Sequence, residues 1–254
     1  MKAAIVGGGE IGQAIKYLIQ EGIDISLFDI HPKRGDSSVA ECLSDAAYIF
    51  VCTPSRAIRE VIAHIHTYAR KDALVVILSK GMADGKFLFE ILDAELQRAY
   101  GFLYGPMIAE DMLQGKNAEA VFATTSRREI KVLKRSLQIQ NSVDVRGVSI
   151  MGVLKNVYAI YIGFTNDERN IQHALREAAV ILKDMGGDTA TVMGPSGAGD
   201  LIATATSIHS KNRQYGIDMR KTGSSSLDAE GALALAEMKT RGGMDRYPIL
   251  KSLL

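Results

Sequence analysis

The fold can be recognised from one stretch near the start of the chain, Lys2-Ala3-Ala4-Ile5-Val6-Gly7-Gly8-Gly9-Glu10-Ile11-Gly12. Its apolar first half, Lys2 to Val6, predicts a short strand, and the apolar residues after the glycines recur at helical spacing. The glycines therefore stand as G-x-G-x-x-G in a strand–turn–helix unit. There Gly7 permits the tight turn, Gly9 lets a pyrophosphate approach the backbone, and Gly12 lets the helix pack on the strand. This pattern predicts a dinucleotide site; a glycine turn in an unrelated α/β protein is the alternative.

A carboxylate at the end of the next strand supports the dinucleotide site. Ile25-Ser26-Leu27-Phe28 is predicted as that strand, and Asp29 follows it, about 20 residues past the first glycine. A carboxylate there can hold the ribose hydroxyls of NAD and would repel the 2′-phosphate of NADP. Lys33 and Arg34 lie close enough to weaken this preference, so we expect NAD and leave NADP possible.

Strands and helices alternate through the first half of the chain, which predicts a parallel sheet. Ligands of such sheets bind at the carboxyl ends of the strands. Candidate binding residues stand at four of these ends, namely Asp29, Pro54, Lys80 and Gly105. For Lys80, an ordinary solvated lysine in a loop is the alternative. The further predicted strands lie at residues 48–52, 74–78, 102–104 and 120–124.

The composition limits the class of protein. The 254 residues carry a formal net charge of +1, which predicts neither nucleic acid nor a membrane as a partner. Cys42 and Cys52 are too few for a disulfide framework, and the N-terminal residues lack the layout of a signal peptide, so we expect a cytoplasmic protein. His64 and His66 lie two residues apart, which on a helix sends them to different faces, so no metal site is expected.

The sequence pattern changes after residue 146. Strand signals fade, and long helical stretches take over at about residues 150–164, 171–185 and 228–241. We therefore predict an α/β protein of two domains. Residues 1–146 would form a Rossmann-type domain with a parallel sheet that binds NAD, and residues 147–254 would form an all-α domain that binds the substrate and carries the catalytic groups.

The helix predicted at residues 150–164 contains a lysine in an unusual setting. Lys155 and Asn156 are its only residues that are neither apolar, aromatic nor glycine. The run is shorter than the roughly 20 apolar residues that cross a bilayer, so a buried helix of a soluble domain is predicted. A buried ammonium without a partner costs several kcal/mol or loses its proton. Either another segment supplies an anion to Lys155, or its stem carries the amino group to the surface.

Two later stretches carry polar groups that suit this helix. Asp200 follows a glycine-rich stretch, and it is either the N-cap of the next helix or the carboxylate that Lys155 requires. Ser210-Lys211-Asn212-Arg213 places two cations, a hydroxyl and an amide within four residues. This set suits a phosphate group. An exposed basic helix end is the alternative.

Taken together, these motifs resemble the NAD-dependent glycerol-3-phosphate dehydrogenases of the bacterial type over nearly the whole chain. The glycine turn matches the family's dinucleotide turn. The further motifs, in chain order, are Thr53-Pro54-Ser55-Arg56-Ala57-Ile58-Arg59, Ser79-Lys80-Gly81, Gly105-Pro106-Met107-Ile108-Ala109-Glu110, Leu154-Lys155-Asn156, Gly199-Asp200-Leu201-Ile202-Ala203-Thr204, Ser210-Lys211-Asn212-Arg213 and Glu230-Gly231.

The resemblance implies reversible hydride transfer between NAD(P)H and dihydroxyacetone phosphate, giving sn-glycerol 3-phosphate. It also implies a C-terminal domain like that of 6-phosphogluconate dehydrogenase, and a homodimer built through it. Lys155 would be the general acid–base, tuned by Asp200, and Lys80 would hold and polarise the carbonyl oxygen. The residues expected at the substrate are Lys80, Asn156, Thr204, Lys211 and Asn212. Those expected at the cofactor are Gly7, Gly9, Glu10, Ile11, Gly12, Asp29, Pro54, Lys80, Ala109, Lys211 and Glu230.

Three departures from the family pattern concern substrate identity and affinity more than reaction type. The family has an arginine where Lys211 stands, and an ammonium does not replace a bidentate guanidinium evenly. Met107 stands where the family has a serine at a cofactor contact. The segment after Asp29 is shorter than in the family, which removes part of the wall around the cofactor.

Two other functions stay open at this point. A reductase of a β-hydroxy acid or a cyclic imine has the same two-domain plan, and dependence on a phosphorylated substrate would separate the two. A regulatory protein that binds NAD without turnover would keep the glycine turn and Asp29. Such a protein has no reason to keep Lys80, Lys155 and Asp200 together.

Overall fold

The chain divides into two compact units, and the computed structural model describes all of Met1–Leu254. The first unit comprises Met1–Ser79 and Ile91–Val145, and the second comprises Lys80–Glu90 and Arg146–Leu254. The sequence predicted one boundary, between residues 146 and 147. It did not indicate that the segment Lys80–Glu90 packs within the helical unit, because this segment lies between two elements of the α/β pattern.

A seven-stranded sheet forms the centre of the first unit, and a two-stranded hairpin lies in the second. In chain order the strands are β1 (Lys2–Val6), β2 (Asp24–Phe28), β3 (Ala46–Val51), β4 (Leu74–Ile77), β5 (Met82–Ala83), β6 (Lys86–Phe87), β7 (Tyr100–Tyr104), β8 (Ala118–Thr124) and β9 (Leu137–Ser142). The order in the sheet is β2-β1-β3-β4-β7-β8-β9. The first five strands are parallel, β8 is antiparallel to β7, and β9 is parallel to β8. The predicted Rossmann-type fold is thus confirmed, and its strand order reverses between β1 and β3, where such sheets bind ligands.

Both faces of the central strands of this sheet are buried. Ile49 and Val51 on one face of β3 and Phe50 on the other are completely inaccessible to solvent. This explains why the parallel strands read as continuous apolar runs rather than as alternating patterns. The helices of this part of the chain are α1 (Glu10–Leu18), α2 (Val39–Leu43), α3 (Ile58–Tyr68), α4 (Leu88–Glu95) and α5 (Ala109–Leu113).

The second unit is helical, as predicted. Its helices are α6 (Val145–Thr165), α7 (Asn170–Asp184), α8 (Asp200–Thr206), α9 (Lys211–Thr222), α10 (Glu230–Arg241) and α11 (Pro248–Leu253). The stretches predicted at residues 150–164, 171–185 and 228–241 correspond to α6, α7 and α10. The glycine-rich stretch before α8 is not an open loop, because Pro195–Gly199 forms a π-helical turn that runs into α8.

The length of α6 corrects one argument made from the sequence. The helix has 21 residues, so by length and composition it could cross a membrane. However, 89 % of its apolar 18-residue window is buried inside the protein. Burial, and not insufficient length, therefore identifies α6 as the core helix of this unit.

Glycines allow two helices to approach the backbone of α6 closely. A Cβ atom added at Gly216 of α9 would lie 2.0 Å from the carbonyl oxygen of Ile160. One added at Gly231 of α10 would lie 2.6 Å from the carbonyl oxygen of Asn156. Any larger residue would push these helices apart, so the glycines allow α9 and α10 to pack directly on the backbone of α6.

Candidate active site

The glycine turn of the first unit has the shape that a pyrophosphate requires. Gly7 adopts a left-handed φ of 105°, and a Cβ added at Gly12 would lie 1.9 Å from the carbonyl oxygen of Gly7. A Cβ added at Gly9 would meet nothing within 4 Å. The space above Gly9 is therefore open, whereas Gly12 is in tight contact with the turn.

The start of α1 offers free donors beside this open space. Gly9 is the N-cap, and no side chain caps the helix. The N–H groups of the first helical turn, which includes Glu10 and Ile11, have no acceptor within the helix. Together with the positive end of the helix dipole they suit an anion, so these residues fit the phosphates of NAD(P).

Asp29 ties the turn to the end of β2. Its Oδ2 accepts a hydrogen bond from the N–H of Gly8 at 2.7 Å, and its Oδ1 accepts one from the N–H of His31 at 2.7 Å. A carboxylate has about four acceptor positions, so ribose hydroxyls can still bind. Lys33 and Arg34 are exposed on the loop that follows.

Three further residues stand at strand ends in this unit. Pro54 is exposed after β3, and Ala109 is the half-buried first residue of α5. Thr53, which sequence reasoning missed, has a buried Oγ1 atom without a hydrogen-bond partner. It lies beside the glycine turn, because a Cβ added at Gly7 would come within 2.9 Å of its backbone nitrogen.

In the second unit, one carboxylate contacts two lysines. Lys80 donates a hydrogen bond from Nζ to Oδ2 of Asp200 at 2.6 Å. Lys155 Nζ lies 3.1 Å from Oδ1 of the same carboxylate and donates to Oγ1 of Thr204 at 3.0 Å. The N-cap of α8 is Gly199, so the N-cap interpretation of Asp200 was wrong. Its carboxylate is instead the partner of both ammonium groups.

This cluster is shielded from solvent. Lys155 is 8 % exposed and Asp200 is 4 % exposed. Burial lowers the pKa of Lys155 below its usual value, and the positive charge of Lys80 lowers it further, against the opposing effects of Asp200 and Glu230. Burial alone would raise the pKa of Asp200, but the two ammonium groups hold that pKa below its usual value. The arrangement keeps a carboxylate ionised next to a lysine that releases its proton more readily than usual.

A chain of neutral amides lies next to the lysine cluster along α6. Asn156 donates from Nδ2 to Oε2 of Glu230 at 3.0 Å, and its Oδ1 accepts from Nδ2 of Asn212 at 2.9 Å. Oδ1 of Asn212 in turn accepts from the N–H of Gly231 at 2.8 Å. Both amides predicted to bind substrate are thus already bonded at both ends. Each keeps one further N–H, so their first task is to join α6, α9 and α10.

The predicted phosphate residues lie at the start of α9. Lys211 is the exposed first residue of the helix, and Arg213 is half-buried. Ser210 caps the helix by accepting a hydrogen bond from the N–H of Arg213 at 3.2 Å. Neither cation has an ion-pair partner, so both are available to an anion near this helix end.

Sequence reasoning missed the residues that hold the segment of Lys80. Glu90 and Arg241 form a bidentate ion pair, and Glu237 binds the backbone of the β5–β6 turn. The turn itself was detectable, because Asp84-Gly85 between short apolar runs is a strong hairpin signal. Its partners on α10 were not, since they lie about 150 residues further along the chain.

Two family models match this chain. A model described as the C-terminus of NAD-dependent glycerol-3-phosphate dehydrogenase matches residues 144–253. A model described as the N-terminus of the same family matches residues 32–130. The second match begins after the glycine turn and Asp29, so the assignment of these residues rests on the motif and the geometry described above.

Individual relatives agree with the family models. The chain is 32 % identical to a glycerol-3-phosphate dehydrogenase (NAD(P)+) of Acinetobacter baylyi over 89 % of this chain and 70 % of that protein. It is 31 % identical to one of Agrobacterium fabrum over 92 % of this chain and 85 % of that protein. The fold is similar to that of the enzyme from Coxiella burnetii, with a TM-score of 0.87, 20 % identity, and coverage of 99 % and 93 % of the two chains. On the strength of the curated relatives and both family models, the chain belongs to the NAD-dependent glycerol-3-phosphate dehydrogenase family, as its motifs indicated.

Proposed function

We propose that this chain reduces dihydroxyacetone phosphate to sn-glycerol 3-phosphate reversibly, with Lys155 as the general acid–base. Membership of the family makes it an oxidoreductase that uses NAD(P). The observation that carries the proposed role of Lys155 is the buried carboxylate of Asp200, which contacts the ammonium groups of Lys155 and Lys80 at 3.1 and 2.6 Å. A protein that only binds the cofactor has no use for two lysines held in this way.

The proton step belongs to Lys155. When bound, NAD(P)H would supply the hydride that the carbonyl carbon receives. Lys155 donates a proton from Nζ to the carbonyl oxygen as that oxygen becomes negative, and it takes the proton back in the reverse reaction. Its lowered pKa suits both directions, because an amine of ordinary pKa would hold its proton too strongly near neutral pH.

The neighbours of Lys155 orient it and stabilise charge. Thr204 accepts a hydrogen bond from Nζ and so fixes the direction of the amino group. Lys80 donates to the other oxygen of Asp200. From this position its positive charge stabilises the alkoxide that develops on the substrate. Asp200 keeps the two ammonium groups side by side, which their mutual repulsion would otherwise oppose.

The remaining predicted residues bind and do not react. The glycine turn, the uncapped start of α1 and Asp29 hold the cofactor phosphates and ribose. Lys211 and Arg213 at the start of α9 hold the phosphate of the substrate. Asn156 and Asn212 keep α9 and α10 in place on α6, and each has one further N–H that could donate to the substrate.

The decisive experiment follows the loss of NADH absorbance with dihydroxyacetone phosphate. NADPH, unphosphorylated dihydroxyacetone and the Lys155→Ala variant are measured in parallel. We expect turnover that requires the phosphate and falls by about 10²–10⁴-fold in the variant, as the loss of a general acid–base does. NADH binding without reduction of the phosphorylated ketone would overturn the proposal and favour hydroxy acids or imines as substrates.

Assembly as a homodimer through the helical unit is part of the same proposal, and it is supported by the family resemblance alone. Light scattering on the purified protein tests it, and a monomer at micromolar concentration would contradict it. The cytoplasmic location also stays a prediction, which fractionation of cells that produce the protein would test.

A further inference from the structure

Lys80 begins a short hairpin that packs within the helical unit. The segment Lys80–Glu90 contains β5 and β6, and the turn between them is Asp84-Gly85. Both turn residues adopt left-handed φ angles, 52° and 67°, which the Asp-Gly pair favours. Two strands of two residues each are not stable alone. The position of Lys80 in this unit therefore depends on what holds the hairpin.

The hairpin is held by the C-terminal half of α10. Arg241 donates from Nη1 and Nη2 to the two carboxylate oxygens of Glu90, at 2.7 and 3.0 Å. The same guanidinium donates to the carbonyl oxygen of Gly85 at 3.2 Å and lies over the ring of Phe87 at 5.3 Å. Glu237, one turn earlier, accepts a hydrogen bond from the N–H of Gly85 at 2.6 Å. Three groups of the hairpin, together with the carboxylate of Glu90 at the start of α4, thus converge on two side chains of α10.

We call the Glu90–Arg241 pair the clamp. Its chemistry makes it stronger than an ordinary surface ion pair. Arg241 and Glu90 are only 26 % and 27 % exposed, and the pair is bidentate. Fork-shaped pairs of this kind combine charge with a defined geometry. The ring of Phe87 adds a cation–π contact that a lysine would not reproduce in the same plane.

We propose that the Glu90–Arg241 pair is a positioning element that holds Lys80 on Asp200. This inference rests on the proposed function of Lys80 in the cluster. Neither Glu90 nor Arg241 contacts the lysine cluster, so they act through the hairpin and not on the reacting atoms. The same helix binds Asn156 through Glu230 at its other end. Helix α10 therefore contacts the hairpin that carries Lys80 at one end and Asn156, the neighbour of Lys155 on α6, at the other.

The test compares Arg241→Gln and Arg241→Lys with the wild-type protein in the reduction assay. We expect Arg241→Gln to lower kcat by about 10–100-fold, as a misplacement of about 1 Å does, with little change in the KM for NADH. Arg241→Lys keeps the charge but not the fork, so we expect it to recover part of kcat. Thermal unfolding identifies any variant that fails to fold, and Arg241→Lys then carries the test.

The pH profile gives a readout that a merely structural role would not change. Lys155 is faced by the charges of Asp200, Lys80 and Glu230, and Lys80 lowers its pKa. If Lys80 leaves Asp200, the pKa of Lys155 rises. The alkaline limb of the reductive profile must then move to higher pH in Arg241→Gln, in the same direction as in Lys80→Ala.

A matched control is available in the same unit. Arg246 lies 3.4 Å from Asp184 and over the ring of Tyr247, so it also combines an ion pair with a cation–π contact. Arg246→Gln should leave kcat and the pH profile unchanged. If Arg241→Gln shows wild-type kinetics while Lys80→Ala is impaired, the proposed role of the clamp is overturned but the role of Lys80 is not. Wild-type kinetics in Lys80→Ala would overturn the role of Lys80 and the clamp with it.

Discussion

The glycine turn of the first unit and the lysine cluster of the second are formed by different kinds of chemical group. The turn is formed by backbone groups of residues 7–12, and the carboxylate of Asp29 accepts a hydrogen bond from the N–H of Gly8 within it. The cluster is formed by side-chain charges from three segments far apart in sequence, which carry Lys80, Lys155 and Asp200. The backbone site is therefore sensitive to the size of a side chain, and the side-chain site is sensitive to charge.

The two regions also differ in what burial does to them. The donors at the start of α1 are neutral peptide N–H groups, which can donate to an anion at any pH. In the cluster, burial lowers the pKa of Lys155, and two ammonium groups lower that of Asp200. The proposed proton transfer therefore belongs to the second region, where burial makes a lysine release its proton more readily than usual.

The largest effect is expected when a charge is removed from the lysine cluster of the second region. Asp200→Asn leaves two buried ammonium groups without a counter-charge, which destabilises the fold by about 3–5 kcal/mol. Because Asp200 raises the pKa of Lys155, its loss must move the alkaline limb of the reductive profile to lower pH. Thermal unfolding and the pH dependence of kcat measure the two effects. NADH binding, followed by the fluorescence of the bound cofactor, should not change, and an unmoved limb would contradict the assignment of Lys155.

Two glycine variants test how sensitive the glycine turn of the first region is to the size of a side chain. In Gly12→Ala the new Cβ meets the carbonyl oxygen of Gly7, so we expect a loss of about 1–3 kcal/mol together with weak NADH binding. In Gly9→Ala the Cβ enters open space, so stability should stay within about 0.5 kcal/mol of the wild type. NADH affinity should nevertheless fall in Gly9→Ala. Calorimetry with a cofactor titration checks both, and unchanged affinity in Gly9→Ala would place the pyrophosphate elsewhere.

A smaller effect tests the carboxylate of the first region. Asp29→Asn keeps one oxygen acceptor but loses the charge, so NADH affinity should fall about tenfold, as the loss of a charge-assisted hydrogen bond implies. The ratio of NADPH to NADH activity should rise, because the repulsion of a 2′-phosphate is removed. Steady-state KM values for both cofactors measure the ratio. An unchanged ratio would mean that Asp29 only braces the turn.

The smallest expected effect concerns the phosphate end of the substrate. Lys211→Arg introduces a bidentate donor at the start of α9 and should lower the KM for dihydroxyacetone phosphate, by about tenfold or less. Reduction of unphosphorylated dihydroxyacetone is the control and should not change. A lower KM for both substrates would show that residue 211 acts on something other than the phosphate.

Much of the α/β architecture could be predicted from the sequence because its signals are local. The strand at Lys2–Val6 was predicted with its observed bounds, and the other strands of the parallel part were found to within a few residues. The strand Leu137–Ser142 was missed, since it is half-polar at the edge of the sheet. An edge strand exposes one side to solvent and so loses the continuous apolar run that identified the central strands.

Some contacts of the candidate site could likewise be predicted from the sequence, and others could not. The pairing of Lys155 with Asp200 could be anticipated, because an ammonium in an apolar helix requires an anion and Asp200 was the carboxylate that suited it. The convergence of Lys80 on the same carboxylate was expected only through the family resemblance. The bonds that occupy both ends of Asn156 and Asn212 were not predicted, since an amide side chain does not reveal its partners in sequence.

Local sequence patterns were enough to predict the strand–turn–helix of the proposed dinucleotide site, the change to a helical second half and the resemblance to the family. These follow from spacing and residue type over short stretches, where the physical cause lies within the stretch. The folded chain was needed to show that the hairpin of Lys80 packs against α10, that Asp200 contacts two lysines and that the pKa of Lys155 is lowered. These depend on burial and on charges brought together from segments up to 156 residues apart, which no local pattern records.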